Sequence, residues 1–290
     1  MNFFEFLEQT PVAFYLVTGT LGLMVGSFLN VVIHRLPTML ERDWTRQCRD
    51  LLHLGNGEER EVYNLVRPRS HCPACKHKIS VLENIPVFSY LVLKGRCSSC
   101  ANRISPRYPV IESLTCLLTV LVCWQFGYGF HALFAMLFTW ALLALSVIDF
   151  DHQLLPDDIT LPFLWIGILL NMYGVFTDVY SSLYGVIAGY GVLWTVYIVF
   201  KVLTGKEGMG HGDFKLLAML GAWTGWQMLP LIILLSSMLG ACVGLTLILM
   251  KKLDRTRPIP FGPFLAFAGW IALLWGDDIM STYLQWSRIP

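Results

Sequence analysis

The sequence predicts an all-α protein that crosses a membrane about eight times and carries one small soluble insert. Of its 290 residues, 55% are hydrophobic and only 14% are charged, and the mean hydropathy is +0.57. A soluble globular domain carries about 25% charged residues. This deficit of charge excludes a disordered chain, a secreted disulfide scaffold and an ordinary cytosolic enzyme. The net charge of +1 provides no global field for nucleic acid, which is not expected as a partner.

Apolar runs of membrane-spanning length occur along most of the chain. A helix needs roughly 20 apolar residues to cross the hydrocarbon core. The run from Phe214 to Met250 is too long for one helix, and Gly225 to Pro230 are typical of a turn, so a hairpin of two short spans is predicted. The predicted spans lie at about 11–33, 109–126, 130–148, 159–177, 180–203, the two arms of that hairpin (the first at about 213–226) and 261–281.

The polar segment 34–108 separates the first predicted span from the others. We therefore predict an N-terminal segment with one span at 1–33, an insert at 34–108 and a seven-helix core at 109–290. The first run follows Glu5 and Glu8, and no Lys or Arg precedes Arg35. Because a signal peptide begins with a basic region, this run is predicted to be retained as a span.

Basic residues are distributed unevenly between the predicted loops. With the N-terminus outside, the inner segments 34–108, 149–158, 201–215 and 251–257 contain 20 of the 21 Lys and Arg residues. This distribution follows the positive-inside rule. The insert is therefore predicted to be cytoplasmic and both termini to lie on the opposite side. The assignment depends on the sixth span, because without it the basic residues of 251–257 would lie outside.

The insert contains two cysteine pairs with the spacing of a zinc site. They are Cys72-Pro-Ala-Cys75 and Cys97-Ser-Ser-Cys100, with 21 residues between them. Each pair offers two thiolates from one turn, and two pairs complete a tetrahedral site without an open position, so a structural zinc ion and a zinc-ribbon-like insert are predicted. Four unrelated free thiols are the alternative. The insert also contains acidic residues, so it is not a purely basic surface for nucleic acid.

Two aspartates lie at the ends of predicted spans on the same, cytoplasmic side. Asp149 ends the third span and Asp213 begins the sixth. Carboxylates that face each other share a proton, so one can act as base and the other as acid on a peptide bond. Gly210 and Gly212 would let a substrate backbone approach closely. For any single one of Asp149, Asp151, Asp157 and Asp158, a position in the headgroup zone is the more ordinary explanation. Asp151, Asp157 and Asp158 lie in a short polar loop, where they are either simply solvated or attract a basic substrate segment. His211 is interpreted as a loop histidine or one that tunes the local charge.

Taken in order along the chain, these motifs resemble those of the type IV prepilin peptidases. These bacterial enzymes are aspartyl intramembrane-type proteases with a Gly-x-Gly-Asp motif. The resemblance covers nearly the whole chain, and its pieces are Gly26-Ser27-Phe28-Leu29-Asn30-Val31-Val32-Ile33-His34-Arg35-Leu36-Pro37, the two cysteine pairs, Arg107-Tyr108-Pro109 with Glu112, Asp149-Phe150-Asp151 through Leu155-Pro156-Asp157, and Gly210-His211-Gly212-Asp213-Phe214-Lys215-Leu216.

The resemblance implies that Asp149 and Asp213 are catalytic and that the four cysteines bind zinc. The family cleaves the basic leader from prepilins and pseudopilins on the cytoplasmic side of the bacterial inner membrane, just after a glycine. Many members then methylate the new N-terminal residue with S-adenosylmethionine, and the cysteine-bearing loop accompanies methylation. Because this chain has all four cysteines, the resemblance implies both activities.

Some expectations are less specific. No glycine-rich motif for S-adenosylmethionine is present, and Gly95, next to Cys97, is the candidate for the vicinity of the methyl donor. Glu112 is a candidate either to bind a charged group of the substrate or to form an ion pair with Arg107. A proton-relaying transporter and a non-catalytic zinc scaffold in the membrane are the alternative functions. The sequence leaves the oligomeric state and the particular pilin substrate open.

Overall fold

The structure, a computed structural model, describes residues 3–54, 63–80, 82–206, 208–250 and 259–287. Within these ranges the regular elements are helical, and β-structure is limited to two isolated bridges. The α-helices are α1 (Phe3–Gln9), α2 (Pro11–Leu51), α3 (Phe88–Val92), α4 (Arg107–Phe126), α5 (Phe130–His152), α6 (Asp157–Asn171), α7 (Val179–Thr204), α8 (His211–Thr224), α9 (Leu229–Leu249) and α10 (Gly262–Ser287). The all-α fold class predicted from the sequence is confirmed.

Six of the described helices are long and apolar enough to cross a membrane: α2, α4, α5, α7, α9 with the turn that precedes it, and α10. The two other predicted spans correspond to α6, with 15 residues, and α8, with 14 residues. At 1.5 Å per residue these helices are about 21–23 Å long, which is less than the roughly 30 Å of a hydrocarbon core. The multi-pass membrane character is therefore confirmed, whereas the count of eight spans stays a prediction.

The chain divides into two compact units, and the boundary between Trp140 and Ala141 lies within α5. In the first unit, α2 and α4 pack closely because Gly22 and Gly26 face α4. A Cβ added to Gly22 would lie 2.8 Å from the Cα of Cys116, and one added to Gly26 would lie 2.7 Å from the Cα of Glu112. Glycines four residues apart allow membrane helices to approach at backbone distance.

The first long helix extends well into the predicted insert. The apolar run ends at Ile33, but α2 continues to Leu51. Residues 34–51 include Leu, Glu, Arg and Met, which favour a helix, so hydropathy marks where the apolar surface ends and not where the helix ends. The side chain of Arg35 is buried and donates to the carbonyl oxygens of Asn64 (3.0 Å) and Leu65 (3.4 Å), which holds a loop of the insert against α2.

In the second unit, α8 is the central helix. It packs against α6, α7 and α10, and ten of its fourteen residues are buried. Its contact with α7 is tight, because a Cβ added to Gly185 would overlap the carbonyl oxygen of Gly221. The predicted turn is present: α8 ends at Thr224, Gly225 has a φ of +83°, and α9 begins at Leu229. Of the two predicted arms, α9 has the length of a membrane span, whereas α8 as a span stays a prediction. This arrangement places the first turn of α8, and therefore Asp213, inside the unit.

Candidate functional site

Asp149 lies in the last turn of α5 and is buried, with 6% of its surface exposed. Its Oδ2 oxygen accepts a hydrogen bond of 3.1 Å from the backbone N–H of Gly262. Gly262 is the first residue of α10, where backbone N–H groups have no partner within the helix. One oxygen of Asp149 is therefore bound by the backbone of a helix that follows 113 residues later in the chain.

Asp213 lies in the first turn of α8 and is 7% exposed. Its side chain forms a hydrogen bond with the backbone of Gly210, the N-cap residue of the helix. The carboxyl groups of Asp213 and Asp149 are close enough to repel each other electrostatically when both are charged. The structure thus brings together the two aspartates that the sequence separates by 64 residues. Their catalytic role is a prediction that the geometry favours.

Leu155 fills the space between the two aspartate-bearing segments. This buried side chain belongs to the short loop between α5 and α6. Its Cδ1 atom lies 3.2 Å from the Cβ position of Gly212 and 3.3 Å from that of Gly262. Because Gly212 precedes Asp213 and Gly262 binds Asp149, Leu155 packs against the backbone next to both carboxyl groups.

The two glycines of the Gly-x-Gly-Asp motif differ in their surroundings. A Cβ added to Gly212 would lie 2.9 Å from the Cβ of Leu155, which cannot move away without the backbone. A Cβ added to Gly210 would be 3.8 Å from Asp213 Oδ2, an ordinary contact. The contact with Leu155 therefore explains why residue 212 is a glycine. At residue 210 a larger side chain would meet no such close contact.

This difference predicts the behaviour of two alanine variants. Gly212→Ala overpacks the contact with Leu155 at a cost of about 1–3 kcal/mol and shifts Asp213, so leader cleavage should fall. Adding Leu155→Ala should restore a small part of the loss, since it removes the contacts with Cδ1 and Cγ (3.2 and 3.4 Å) but keeps the Cβ that lies at 2.9 Å. Cleavage rates of the single and double variants in a double-mutant cycle would measure this coupling. Independent, additive effects would contradict the contact.

The other acids near Asp149 are on the surface. Asp151 and Asp158 are exposed. Asp157, at the start of α6, accepts two hydrogen bonds from the Lys215 ammonium group, at 2.8 Å and 2.7 Å. This ion pair joins the first turns of α6 and α8. Asp157 is therefore exposed but also paired with Lys215 on α8, and an exposed ion pair of this kind contributes little to stability.

His211 packs against aromatic side chains. Its ring centroid lies 5.3 Å from that of Tyr197 and 5.5 Å from that of Phe214. Among the described residues, the only group of three or more His, Cys, Asp or Glu side chains that could hold a metal ion is the cysteine quartet.

The four predicted cysteine ligands form one cluster in the first unit. The Sγ atoms of Cys72, Cys75, Cys97 and Cys100 lie within 4.8 Å of one another. Two Sγ–Sγ distances are 3.8 Å, between Cys72 and Cys100, and 3.9 Å, between Cys75 and Cys97. A tetrahedron with Zn–S bonds of about 2.3 Å has edges of about 3.8 Å, so the donor set fits a zinc ion.

The surroundings of the four thiols shift their pKa values in different directions. Hydrogen bonds from the backbone of Cys75 and Ala74 lower the pKa of Cys72 to about 6. At Cys100, a backbone hydrogen bond with Asn102 acts in the opposite direction, but the neighbouring sulfur atoms raise the pKa to about 12. Four sulfurs this close cannot all be thiolates without a cation among them, which is the condition that a bound metal ion satisfies.

Glu112 connects the insert to the membrane helices of the first unit. This carboxyl group is 8% exposed and accepts a 2.7 Å hydrogen bond from the N–H of Val87, the N-cap residue of α3. The hydroxyl group of Ser27 on α2 also hydrogen-bonds to it. Glu112 therefore joins α3 to α2 and α4 through these hydrogen bonds, a contact that could not be predicted from the sequence.

We expect Glu112→Ala and Glu112→Gln to behave differently. Alanine leaves the Val87 N–H without an acceptor at a cost of about 1–3 kcal/mol, whereas glutamine keeps an acceptor oxygen. Glu112→Ala should therefore loosen the insert, which limited proteolysis of the purified protein would detect, and glutamine should restore resistance. Equal proteolysis of both variants would argue that the negative charge matters and not the hydrogen bond.

Gly95 borders a basic cavity of about 550 Å³, lined by Tyr90, Lys94, Gly95, Arg96, Arg103, Ile104, Ser105 and Pro106. The residue has a φ of +66°, and an added Cβ would lie 2.9 Å from the Tyr90 ring. Glycine is therefore required here by both the backbone conformation and the packing. The cavity lies beside the second cysteine pair in the chain, and the predicted vicinity of the methyl donor stays a prediction.

Three residues next to the aspartates were not singled out from the sequence: Leu155, Lys215 and Gly262. Leu155 and Lys215 belong to the motifs that carry the resemblance, but their residue types alone predict no contact with the aspartates. Gly262 follows Phe261 and precedes Pro263 at the start of the last apolar run. A glycine and a proline at the start of a predicted helix are ordinary, so only the fold reveals its contact with Asp149.

Comparisons with known proteins cover both units. The model of the bacterial peptidase A24 N-terminal domain matches residues 20–126, and that of the type IV leader peptidase family matches residues 136–245. A protein of Stutzerimonas stutzeri is 54% identical over 285 residues, which are 98% of this chain and 99% of that protein. One of Pseudomonas aeruginosa is 54% identical over 99% of each chain, and one of Legionella pneumophila is 45% identical over 94% and 96% of the two chains.

All three relatives bear the name prepilin leader peptidase/N-methyltransferase. No solved structure significantly matches the chain.

Proposed function

Because the chain belongs to the type IV leader peptidase family, we propose that it removes the leader of prepilins and pseudopilins with Asp149 and Asp213 and then methylates the new N-terminus. The family models and the curated relatives confirm the family that the sequence motifs predict. The observation that supports the catalytic assignment is the pair of buried carboxyl groups at the ends of α5 and α8, close enough to interact. Two such groups can share one proton and divide the roles of acid and base.

In the proposed hydrolysis, a water molecule lies between the two carboxyl groups. The ionised carboxylate takes a proton from this water while the water oxygen bonds to the carbonyl carbon of the scissile peptide. The other, protonated carboxyl group donates its proton to the carbonyl oxygen. When the C–N bond of the tetrahedral intermediate breaks, a proton passes to the leaving amine, which becomes the N-terminus of the mature pilin.

The position of the pair suits a substrate with a basic leader and an apolar helix. Asp149 ends a helix of membrane-spanning length, so a bond between a cytoplasmic leader and a membrane-embedded helix would reach it at the boundary. Gly210, whose missing side chain leaves space beside Asp213, would admit the extended substrate backbone. Gly212 would support this indirectly by allowing Leu155 to pack.

For the second activity, the cysteine quartet would bind zinc as a closed structural site. When bound, zinc would neutralise the thiolates and join the two cysteine turns into one folded insert. S-adenosylmethionine, when bound, would supply the methyl group of its sulfonium centre to the neutral amine of the new N-terminus, with release of a thioether and of one proton from the amine. We place the donor near Gly95, beside the basic cavity.

The proposed setting is the bacterial inner membrane, with the insert at 34–108 in the cytoplasm and both termini in the periplasm. The excess of basic residues in the predicted inner segments supports this orientation. The segment 251–257, whose four basic residues contribute to the argument, lies outside the described residues. The division into 1–33, 34–108 and 109–290 is retained as a proposal about function, since cleavage and methylation would use the core and the insert respectively.

Mass spectrometry of a co-expressed pilin tests both activities together. We expect the mature pilin to lack its leader and to carry the additional mass of one methyl group at its N-terminus. A pilin that keeps its leader when co-expressed with the intact protein would contradict the peptidase assignment. A shortened pilin without the methyl group would contradict only the methyltransferase assignment.

A further inference from the structure

We propose that Gly262 is a positioning residue for Asp149, which extends the proposed function and depends on it. Its N–H group binds Asp149 Oδ2 at 3.1 Å. Its missing side chain leaves the space that the same carboxyl group occupies. The residue thus selects one orientation of the Asp149 side chain without taking part in proton transfer.

The steric evidence is specific to this carboxyl group. A Cβ added to Gly262 would lie 2.6 Å from Asp149 Oδ2 and 3.1 Å from its Cγ. Contacts below about 3.0 Å do not occur between such atoms, so an alanine at this position would displace the carboxyl group or the start of α10. The nearest obstacle is the functional group itself and not an adaptable apolar side chain.

The backbone conformation does not require glycine here. Gly262 is absent from the glycines with positive φ, so an L-residue could adopt its backbone conformation. The requirement is therefore for space and not for conformational freedom. This distinguishes Gly262 from Gly95 and Gly225, whose positive φ values alone favour glycine.

The donor is rigid because it belongs to a packed helix. In the first turn of α10, Leu265 and Ala266 are fully or almost fully buried. The helix packs against α8, which carries Asp213, and against α9. The N–H group of Gly262 therefore has a direction that is set by the helix, and it cannot rotate away as a side-chain donor could. Fixing Oδ2 in this way restricts the orientation of the Asp149 carboxyl group.

Gly262→Ala, in the full-length protein with lipid, is the test. We expect kcat for cleavage of a prepilin peptide to fall about 100-fold, because displacement of a catalytic group by about 1 Å costs that much. KM should stay within about twofold, since the substrate contacts are unchanged and only transition-state stabilisation is lost. Methyl transfer to a synthetic peptide with the mature N-terminus should continue, which shows that the variant is folded.

Gly240→Ala is the matched control. Gly240 lies on α9 and faces the same turn of α10, but its added Cβ would be 3.5 Å from the Phe264 ring, an ordinary contact. This variant should cleave and methylate as the unchanged protein does. A Gly262→Ala protein that cleaves with normal kcat would overturn the proposal.

A combined variant covers the case in which Gly262→Ala fails to fold. An alanine Cβ at 262 would also approach Leu155 Cδ1 at 3.3 Å, and Leu155→Ala removes that contact while the conflict with Asp149 stays. The double variant should methylate, and its kcat for cleavage should stay about 100-fold below that of the Leu155→Ala protein. Recovered cleavage, or loss of both activities in both variants, would make Gly262 a packing residue and overturn the proposal. Cleavage by Asp149→Asn and Asp213→Asn proteins would instead contradict the proposed function itself.

Discussion

Replacement of Asp149 or Asp213 by asparagine is expected to abolish leader cleavage. Asparagine has nearly the same shape, so Gly262 can still donate to the oxygen at position 149, but the side chain no longer accepts or donates the proton of the reaction. General acid–base groups contribute about 10²- to 10⁴-fold each, and the loss of either partner of a shared-proton pair should remove cleavage almost entirely. The rate of leader removal from a prepilin peptide by the purified variants is the measurement.

Asp158→Asn is the matched control for charge. Asp158 lies in the first turn of α6 and is exposed. Its neutralisation changes the net charge by the same amount without touching the pair, so cleavage should continue. The inactive variants should still insert into the membrane and methylate a peptide that is already mature. If both asparagine variants cleaved at normal rates, the catalytic pair would have to be abandoned.

The second large effect concerns the cysteine quartet. Cys72→Ser together with Cys75→Ser is expected to release zinc and to reduce methyl transfer strongly, because half of the donor set is lost. A structural zinc site contributes folding free energy directly, and two remaining thiolates cannot complete a tetrahedral site. Elemental analysis should find about one zinc ion per chain in the unchanged protein and almost none in the variant. Leader cleavage should be largely retained, since the aspartates belong to the other compact unit.

Cys48→Ser provides the control for this experiment. Cys48 is an exposed thiol near the end of α2 and lies outside the cluster. Its removal should change neither the zinc content nor methyl transfer. Absence of zinc from the unchanged, purified protein would remove the metal assignment. Full methyl transfer by the zinc-free double variant would show that methyl transfer does not require zinc.

Much of the site could be predicted from the sequence because its chemistry is local. Each cysteine pair is one turn, so the spacing of Cys72 and Cys75 already describes half of a metal site. Asp213 follows two glycines at the start of an apolar run, and Asp149 ends another. Acids are costly in such positions, which makes these residues conspicuous without any knowledge of their contacts.

The parts that could not be predicted are long-range or independent of hydropathy. Gly262 binds a carboxyl group 113 residues away, and the sequence contains no sign of that pairing. The Glu112–Val87 hydrogen bond likewise joins residues whose sequence separation carries no periodic signal. The extension of α2 to Leu51 was missed because the amino acids of residues 34–51 favour a helix but do not favour a membrane.

The short length of α8 has a consequence for the access of water, the second reactant of peptide hydrolysis, to the aspartates. Peptide hydrolysis consumes water, which the hydrocarbon interior of a membrane excludes. A helix of 14 residues is about 9 Å shorter than a hydrocarbon core of roughly 30 Å. With α8 as the predicted sixth span, such a mismatch would be accommodated by local thinning of the bilayer. Because Asp213 lies at the first turn of this helix, thinning would bring the aqueous phase to the carboxyl groups, and the rate of leader removal should depend on the thickness of the surrounding lipid.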